Sequence, residues 1–382
     1  LYSSEVSTLN YLTTGNTWDQ TVGANVIDTL VEYDRYGNVQ PSLALTWEND
    51  AETGLVWTFK LREDATWVTA AGEYYANVTA YDFVAAAKYI LNAQNASSTA
   101  DILYNVIEGA EAYYLGTSTP EEGQEPYPVM EWDTVGVKAI DDYTLQYTLT
   151  QPTDYFMTML GYGVFAPMSR SYYESKGGKF GADFDNTAES YTYGKTPNDI
   201  AYCGPYTVSN LTAENTIVFS ANKECWNAEN VTMKTITWMF NDGSDELKAY
   251  NDTIAGTIDG AGLNASAVEA AKTDGIFDTL AYVSATDATA FMAFVNVNRG
   301  AFANYNDASA CVSPKTEEDK TRAGAAMLNQ HFRLALAMSI DRGTYNAQSV
   351  GEDLKFNALV NSYTPGTFVN LPEEITVEIN GT

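Results

Sequence analysis

The side chains able to do covalent or acid–base chemistry are few in kind. The 382 residues hold three cysteines, one histidine, and fifty acidic against twenty basic groups. Cys203 and Cys225 flank GPYTVSNLTAENTIVFSANKE, which reads as strand, turn, strand, with residue 214 at the midpoint inside the turn TAEN. A hairpin folded there sets the two thiols opposite each other across the ladder. A disulfide is then feasible and would suit a site outside the cytoplasm. Two reduced thiols packed in a sheet fit the same spacing, because bridge geometry is demanding. Cys311 is left over and is assigned nothing. His331 falls in an amphipathic helical stretch and reads as a surface or boundary residue, not a base or ligand. A single histidine removes ordinary histidine triads and multi-histidine zinc sites. No GxGxxG, Walker A, EF-hand or GxSxG pattern occurs. Carboxylate pairs are the remaining catalytic option and, beside seven tryptophans, would suit a glycosidase. Among fifty acids, however, the nearness of any two in sequence carries almost no information. No catalytic residue, metal ligand or cofactor is therefore assigned.

The elements that would position a site come next. The stretch PSLALTWENDAETGLVWTFKLREDATW (41–67) reads as two strands joined by a polar turn, with Leu55, Trp57, Phe59 and Leu61 alternating against Val56, Thr58 and Lys60. Thr79 with Asp82 three residues on is a capping-box-like helix start, and Phe83, Ala86, Ala87, Ile90 and Leu91 share one face behind it. A helix is predicted over 21–33, with Val22, Val26, Ile27, Leu30 and Val31 on one face, and a helical stretch over 102–114. Residues 116–128 form a proline-rich acidic surface loop. Segments 134–139 and 143–149 form a hairpin, and 235–240 a strand. Asn264 caps a short helix ending near Gly275, 290–298 is an apolar strand, and a longer helical region follows Pro314. The irregular alternation predicts α/β lobes with mixed sheets.

Length predicts two or three domains. The formal charge of −30 repels nucleic acid and anionic membranes, which are excluded as primary ligands, and the dispersed acid reads as solubility. No apolar stretch approaches the ~20 residues of a membrane span. No signal or lipid-attachment motif opens the chain, so Leu1 reads as a processed or artificial start. Twenty-seven tyrosines, fifteen phenylalanines and seven tryptophans fit a binding cleft, although most such rings serve the core.

Eight motifs in order resemble those of the extracytoplasmic solute-binding proteins of family five, the oligopeptide/dipeptide/nickel type that feeds ABC importers. Pro41-Ser42-Leu43-Ala44 with Trp47, and Trp57-Thr58-Phe59-Lys60-Leu61-Arg62 with Trp67, resemble the signature strand pair. Thr79-Ala80-Tyr81-Asp82-Phe83-Val84 resembles the helix start, and 133–145 the next hairpin. Cys203-Gly204-Pro205-Tyr206 with Trp226-Asn227 resembles the GxGPY…YW-N hairpin, the cysteines replacing a glycine and an aromatic. Gly256-Thr257-Ile258-Asp259, the helix 332–342 and Ser362-Tyr363-Thr364-Pro365 complete the set.

The resemblance implies an α/β, bilobed, type II periplasmic-binding-protein-like fold with an extra subdomain in lobe one. Lobe one would comprise residues 1–47 and 161–264, the extra subdomain 48–160, and lobe two 265–382. In the family the chain later returns to lobe one, so a fragment with an incomplete lobe two is expected. The implied function is non-catalytic capture of oligopeptides and delivery to membrane permease subunits. The protein would be a monomer outside the cytoplasm, as a cell-surface lipoprotein or in a periplasm. Capture needs strand-like pairing to the peptide backbone, counter-charges for its termini and hydrated side-chain pockets, with closure about the inter-lobe strands. By the family pattern Thr17, Trp18 and Asp19 lie near the ligand, as does Tyr104, and the hinge strand contributes Thr289, Phe291 and Met292. Trp18 reads equally well as a surface aromatic at the helix start, and Met292 better as core packing. The same scaffold carrying an oligosaccharide or other solute, and an acidic secreted glycosidase, are the alternatives.

Overall fold

In the computed structural model, residues 1–361 are described apart from 36, 121–122, 182–183, 285–290, 298–315 and 358. The chain divides into two compact units, Leu1–Asp242 and Gly243–Thr382.

The first unit opens with α1 (Thr17–Val26), then β1 (Val31–Tyr33) and β2 (Val39–Pro41). The helix predicted over 21–33 is thus two elements. The Asn16 side chain accepts from the Trp18 and Asp19 amides and starts α1 four residues early. The chain turns extended at Ile27, and Val31–Tyr33 pairs antiparallel with β2. The apolar face still buries Val22, Val26, Ile27, Leu30 and Val31. Close approach also shapes this end. The Gly204 amide donates to the Val26 carbonyl at 2.9 Å, and a Cβ on Gly204 would sit 2.7 Å from the Val26 carbonyl carbon.

β3 (Ala44–Asn49) and β4 (Val56–Leu61) form the expected hairpin, followed by β5 (Thr66–Val68), β6 (Tyr74–Asn77) and α2 (Ala80–Ile90). Phe59 and Leu61 are buried, as are all five residues predicted for the α2 face. The stretch predicted helical over 102–114 is broken into α3 (Ala100–Tyr104) and α4 (Ala110–Gly116). Gly109 divides them at φ +70, packed so that a Cβ would lie 2.2 Å from the Thr134 carbonyl oxygen. β7 (Val137–Asp141) and β8 (Thr144–Thr148) then close a four-stranded sheet of order β3-β4-β8-β7.

After α5 (Phe156–Met159) and α6 (Arg170–Ser175) come β9 (Tyr206–Thr212), β10 (Thr216–Ala221) and β11 (Thr235–Met239), a three-stranded sheet. Every ladder among the described residues is antiparallel. The parallel pairing is an isolated bridge, Tyr2 to Phe240, so the sheets are antiparallel where mixed ones were expected. Neighbouring strands are joined mostly by tight turns, which leave no room for parallel crossovers.

The second unit contains α7 (Lys248–Ile254), α8 (Ala265–Thr273), α9 (Phe277–Leu280), α10 (Glu317–Leu328), α11 (Gln330–Met338) and α12 (Arg342–Val350). Asn264 caps α8 through the Ala267 amide, as expected. Its small core is Tyr250, Ala267 and Ala271, with Leu247, Leu263, Ile276 and Phe277 packed on it. The apolar strand predicted over 290–298 is not a strand at 291–297.

One carboxylate ties the first unit's pieces together. Asp82 accepts from Trp67 Nε1 (3.0 Å), the Thr79 amide (2.8 Å) and the Arg170 amide (3.3 Å), and is buried. Replacing Asp82 with alanine leaves these buried donors unpaired. It is expected to cost about 3 kcal/mol, with Trp67→Phe costing about 1. Urea unfolding should show earlier midpoints with unchanged slopes.

Candidate functional site

The residues singled out at the start of α1 have three different fates. Asp19 is buried and its carboxylate accepts from the Ser7 amide (2.7 Å), the Ser7 hydroxyl (2.5 Å) and the Thr14 hydroxyl (2.7 Å). It fastens the opening segment to the helix start. Thr17 is exposed, and its carbonyl accepts from Thr21 Oγ1 at 2.7 Å. Trp18 is half-buried and stands edge-on to Tyr2 and to Trp238, each with ring centroids 6.1 Å away.

Those contacts extend into a continuous aromatic row. Trp238 meets Phe219 at 4.8 Å, and Tyr2 meets Phe240 at 5.2 Å. Two backbone bonds hold the row in place, Tyr2 N–H to the Met239 carbonyl (3.0 Å) and Asn241 N–H to the Tyr2 carbonyl (2.9 Å). The loop ahead of α1 is fixed as firmly. Gln20 Nε2 donates to the Tyr11 and Thr14 carbonyls, Ser97 Oγ to that of Leu12 and the Ser98 amide to that of Thr13. Trp238 and Tyr2 were not singled out from sequence. The alternation over 235–240 shows a strand, but nothing in it says that its aromatics meet Trp18.

Tyr104 closes α3 and packs on Tyr114 with centroids 4.9 Å apart; burial, then the nearby Asp101, raise its hydroxyl pKa. In the second unit Phe291 is 94% and Met292 39% exposed, so the core role weighed for Met292 is not the one it has. Thr289 lies outside the described residues, as does Cys311. His331 is exposed on the first turn of α11.

The bridge weighed between Cys203 and Cys225 is not made; both thiols are free and buried. The β9–β10 ladder ends at Tyr206 and Ala221, and a bulge between Val218 and Phe219 shifts the register by one. Continued on that register, Cys203 would face Glu224. Cys225 sits instead in a turn, its amide donating to the Asn222 carbonyl. Burial pushes the Cys225 thiol up to about 11 and that of Cys203 well above its ordinary value. Neither is a nucleophile at neutral pH.

Among the described residues no group of three or more His, Cys, Asp or Glu could hold a metal ion, and no helix is long and apolar enough to cross a membrane. An open depression of about 420 Å³ between α10 and α11 is lined by Asp319, Arg322 and Phe332. Its arginine is already paired to Asp319. Within that row Tyr2 and Phe219 are buried in the core, and Trp18, Trp238 and Phe240 are half-buried against it.

Residues 38–370 match the family model for bacterial extracellular solute-binding proteins, family 5 (middle). The oligopeptide-binding protein AmiA of Streptococcus pneumoniae serotype 4 is 33% identical over 98% of this chain and 52% of its own length. The oligopeptide-binding protein SarA of Streptococcus gordonii is 31% identical over 97% of this chain and 51% of its own. The chain therefore spans about half the length of these curated relatives. A solved structure of the pheromone receptor PrgZ, described with its mode of peptide binding, shares the fold. Its TM-score is 0.65 at 22% identity, over 91% of this chain and 57% of that one. With an α/β fold of this kind and a match over most of its length, the chain belongs to family 5 of the bacterial extracellular solute-binding proteins.

Proposed function

We propose that the protein captures oligopeptides as the substrate-binding component of an ABC importer and delivers them to permease subunits in the membrane. The observation that carries this reading is the similarity to oligopeptide-binding relatives along 97% and 98% of this chain. In this reading the protein is a monomer that binds without cofactor and without turnover. It works outside the cytoplasm, either as a cell-surface lipoprotein or free in a periplasm. The division into residues 1–47 and 161–264, an inserted 48–160 and a second lobe from 265 belongs to the same reading.

The chemistry around Trp18 supports it. Aromatic faces accept varied side chains without demanding one sequence, and the carboxylate next to Trp18 in the chain, that of Asp19, is already satisfied by three neutral donors. Trp18 is thus assigned to the ligand and Asp19 to positioning Trp18. Tyr104, Thr289, Phe291 and Met292 are carried as further ligand contacts.

Native mass spectrometry of freshly purified protein should show a heterogeneous series of added masses that sequence as peptides. A bound sugar, or turnover of a glycoside, would sink the proposal. Calorimetric titration with a recovered peptide, at a temperature where the variant is still folded despite its lost packing on Tyr2 and Trp238, should give binding about tenfold weaker for Trp18→Ala. Thr17→Ala, a trim of an exposed side chain, should bind as the parent does.

A further inference from the structure

The rings of the Trp18 row face largely into the protein, so ring surface open to a ligand has to come from elsewhere in the first unit. Three tyrosines supply it. Tyr155 is 63%, Tyr162 60% and Tyr33 43% exposed. Hydrogen bonds within one short stretch tie them into a patch. The Tyr33 hydroxyl donates to the Thr158 carbonyl at 2.6 Å. The Thr158 amide and hydroxyl donate to the Tyr155 carbonyl at 2.9 and 2.7 Å, and the Tyr162 amide donates to the Met159 carbonyl at 3.0 Å.

Two glycines set the stance of Tyr162. A Cβ on Gly161 would run into the Tyr33 ring, 2.8 Å from its hydroxyl oxygen, and one on Gly163 would lie 2.5 Å from Gln20 Oε1. Neither neighbour can step aside without loss. The Tyr33 hydroxyl is held by Thr158, and Gln20 Nε2 donates to the Tyr11 and Thr14 carbonyls. Bare backbone on both sides of Tyr162 therefore seats against β1 and α1, closer than any residue with a side chain allows. The Tyr162 carbonyl accepts from the Phe165 amide at 2.9 Å. Phe165 itself is buried, edge-on to Tyr147 and Phe156. An exposed ring on a backbone pinned in this way has little freedom left to lose when it meets a ligand.

The place of this ring in the fold says what it meets. Gln20 lies three residues into α1 from Thr17, on the same face of the helix. The single helical turn Gly163–Phe165 lies against both α1 and α3, and α3 ends at Tyr104. Tyr162 thus begins the segment that joins the two parts of the first unit carried above as ligand contacts. We propose that Tyr162, backed by Tyr33, forms a subsite that stacks one planar side chain of a bound oligopeptide, aromatic or arginine. The subsite rests on the peptide-capture reading and deepens it. A tyrosine face takes an aromatic ring by offset stacking and a guanidinium through its π-electrons. The formal charge of −30 adds a pull on cationic peptides.

Peptides that copurify with the whole protein are sequenced, and one is synthesised together with copies in which each aromatic or arginine residue is replaced in turn by alanine. Calorimetric titration should give about tenfold weaker binding of the original peptide to Tyr162→Ala than to the parent protein. One of the alanine copies should bind both proteins alike, because the side chain that stacks is then absent from it. Tyr162→Phe keeps the ring face and should bind as the parent does, and the melting curves of both variants should match the parent's, since the side chain is exposed. Equal affinity of the parent and Tyr162→Ala, a loss that no alanine copy removes, or recovered peptides without aromatic or arginine residues would each overturn the subsite and leave the capture reading standing. A parent protein that binds no peptide sinks the capture reading and the subsite with it.

Discussion

A carboxylate buried among neutral donors holds the first unit together. Asp82 caps α2, receives the Trp67 indole from β5, and takes the first amide of α6. Its own carbonyl accepts the Met168 amide at 3.1 Å. Burial raises its pKa, and the indole, then the two amides, pull it back down. Each donor alone contributes little, because folding only exchanges water for protein. Together they fix where three elements meet, and the paired amides of Val68 and Tyr202 lock β5 to the hairpin region a few residues away. Displace the carboxylate, and the helix loses its start, the indole its acceptor and α6 its anchor.

The same device recurs because of composition. With fifty acidic groups and twenty basic ones, most carboxylates cannot be met by a cation, and several in the fold are met by backbone amides and hydroxyls. Asp19 gathers Ser7 and Thr14. Asp141 is held below the usual carboxylate range by the Tyr143 amide, then the Thr144 hydroxyl. Asp341 is held down in the same way by the amide of Thr344, then its hydroxyl. Carboxylates spent on capping are poor general acids or bases, since their lone pairs are committed.

Much of the scaffold was legible in the sequence, for a definable reason. The hairpins around Phe59 and Tyr147 and the buried face of α2 obey a single period, and period survives any detail of packing. The failures occur where one apolar run serves two elements. Ile27 to Val31 continues the spacing of α1, yet the chain is extended at Ile27 and Val31 opens a strand by pairing with Pro41. Gly109 breaks a helical pattern because the Thr134 carbonyl needs its space, a fact set 25 residues away. The cysteine hairpin was read in the right place but without its bulge, and one residue of register is enough to unseat a facing pair.

The candidate site was legible only in part because recognition surfaces have no period. Tyr2, Trp18, Trp238 and Phe240 become neighbours through one isolated parallel bridge between the opening segment and the end of β11. Each ring, taken singly, reads as core. Asp19 shows the converse. Its position beside Trp18 marked the right turn of helix, but its chemistry is structural, since three donors already satisfy it. In the peptide-capture reading proposed above, charge fixed inside the scaffold in this way does not select among ligands, and recognition passes to uncharged surface.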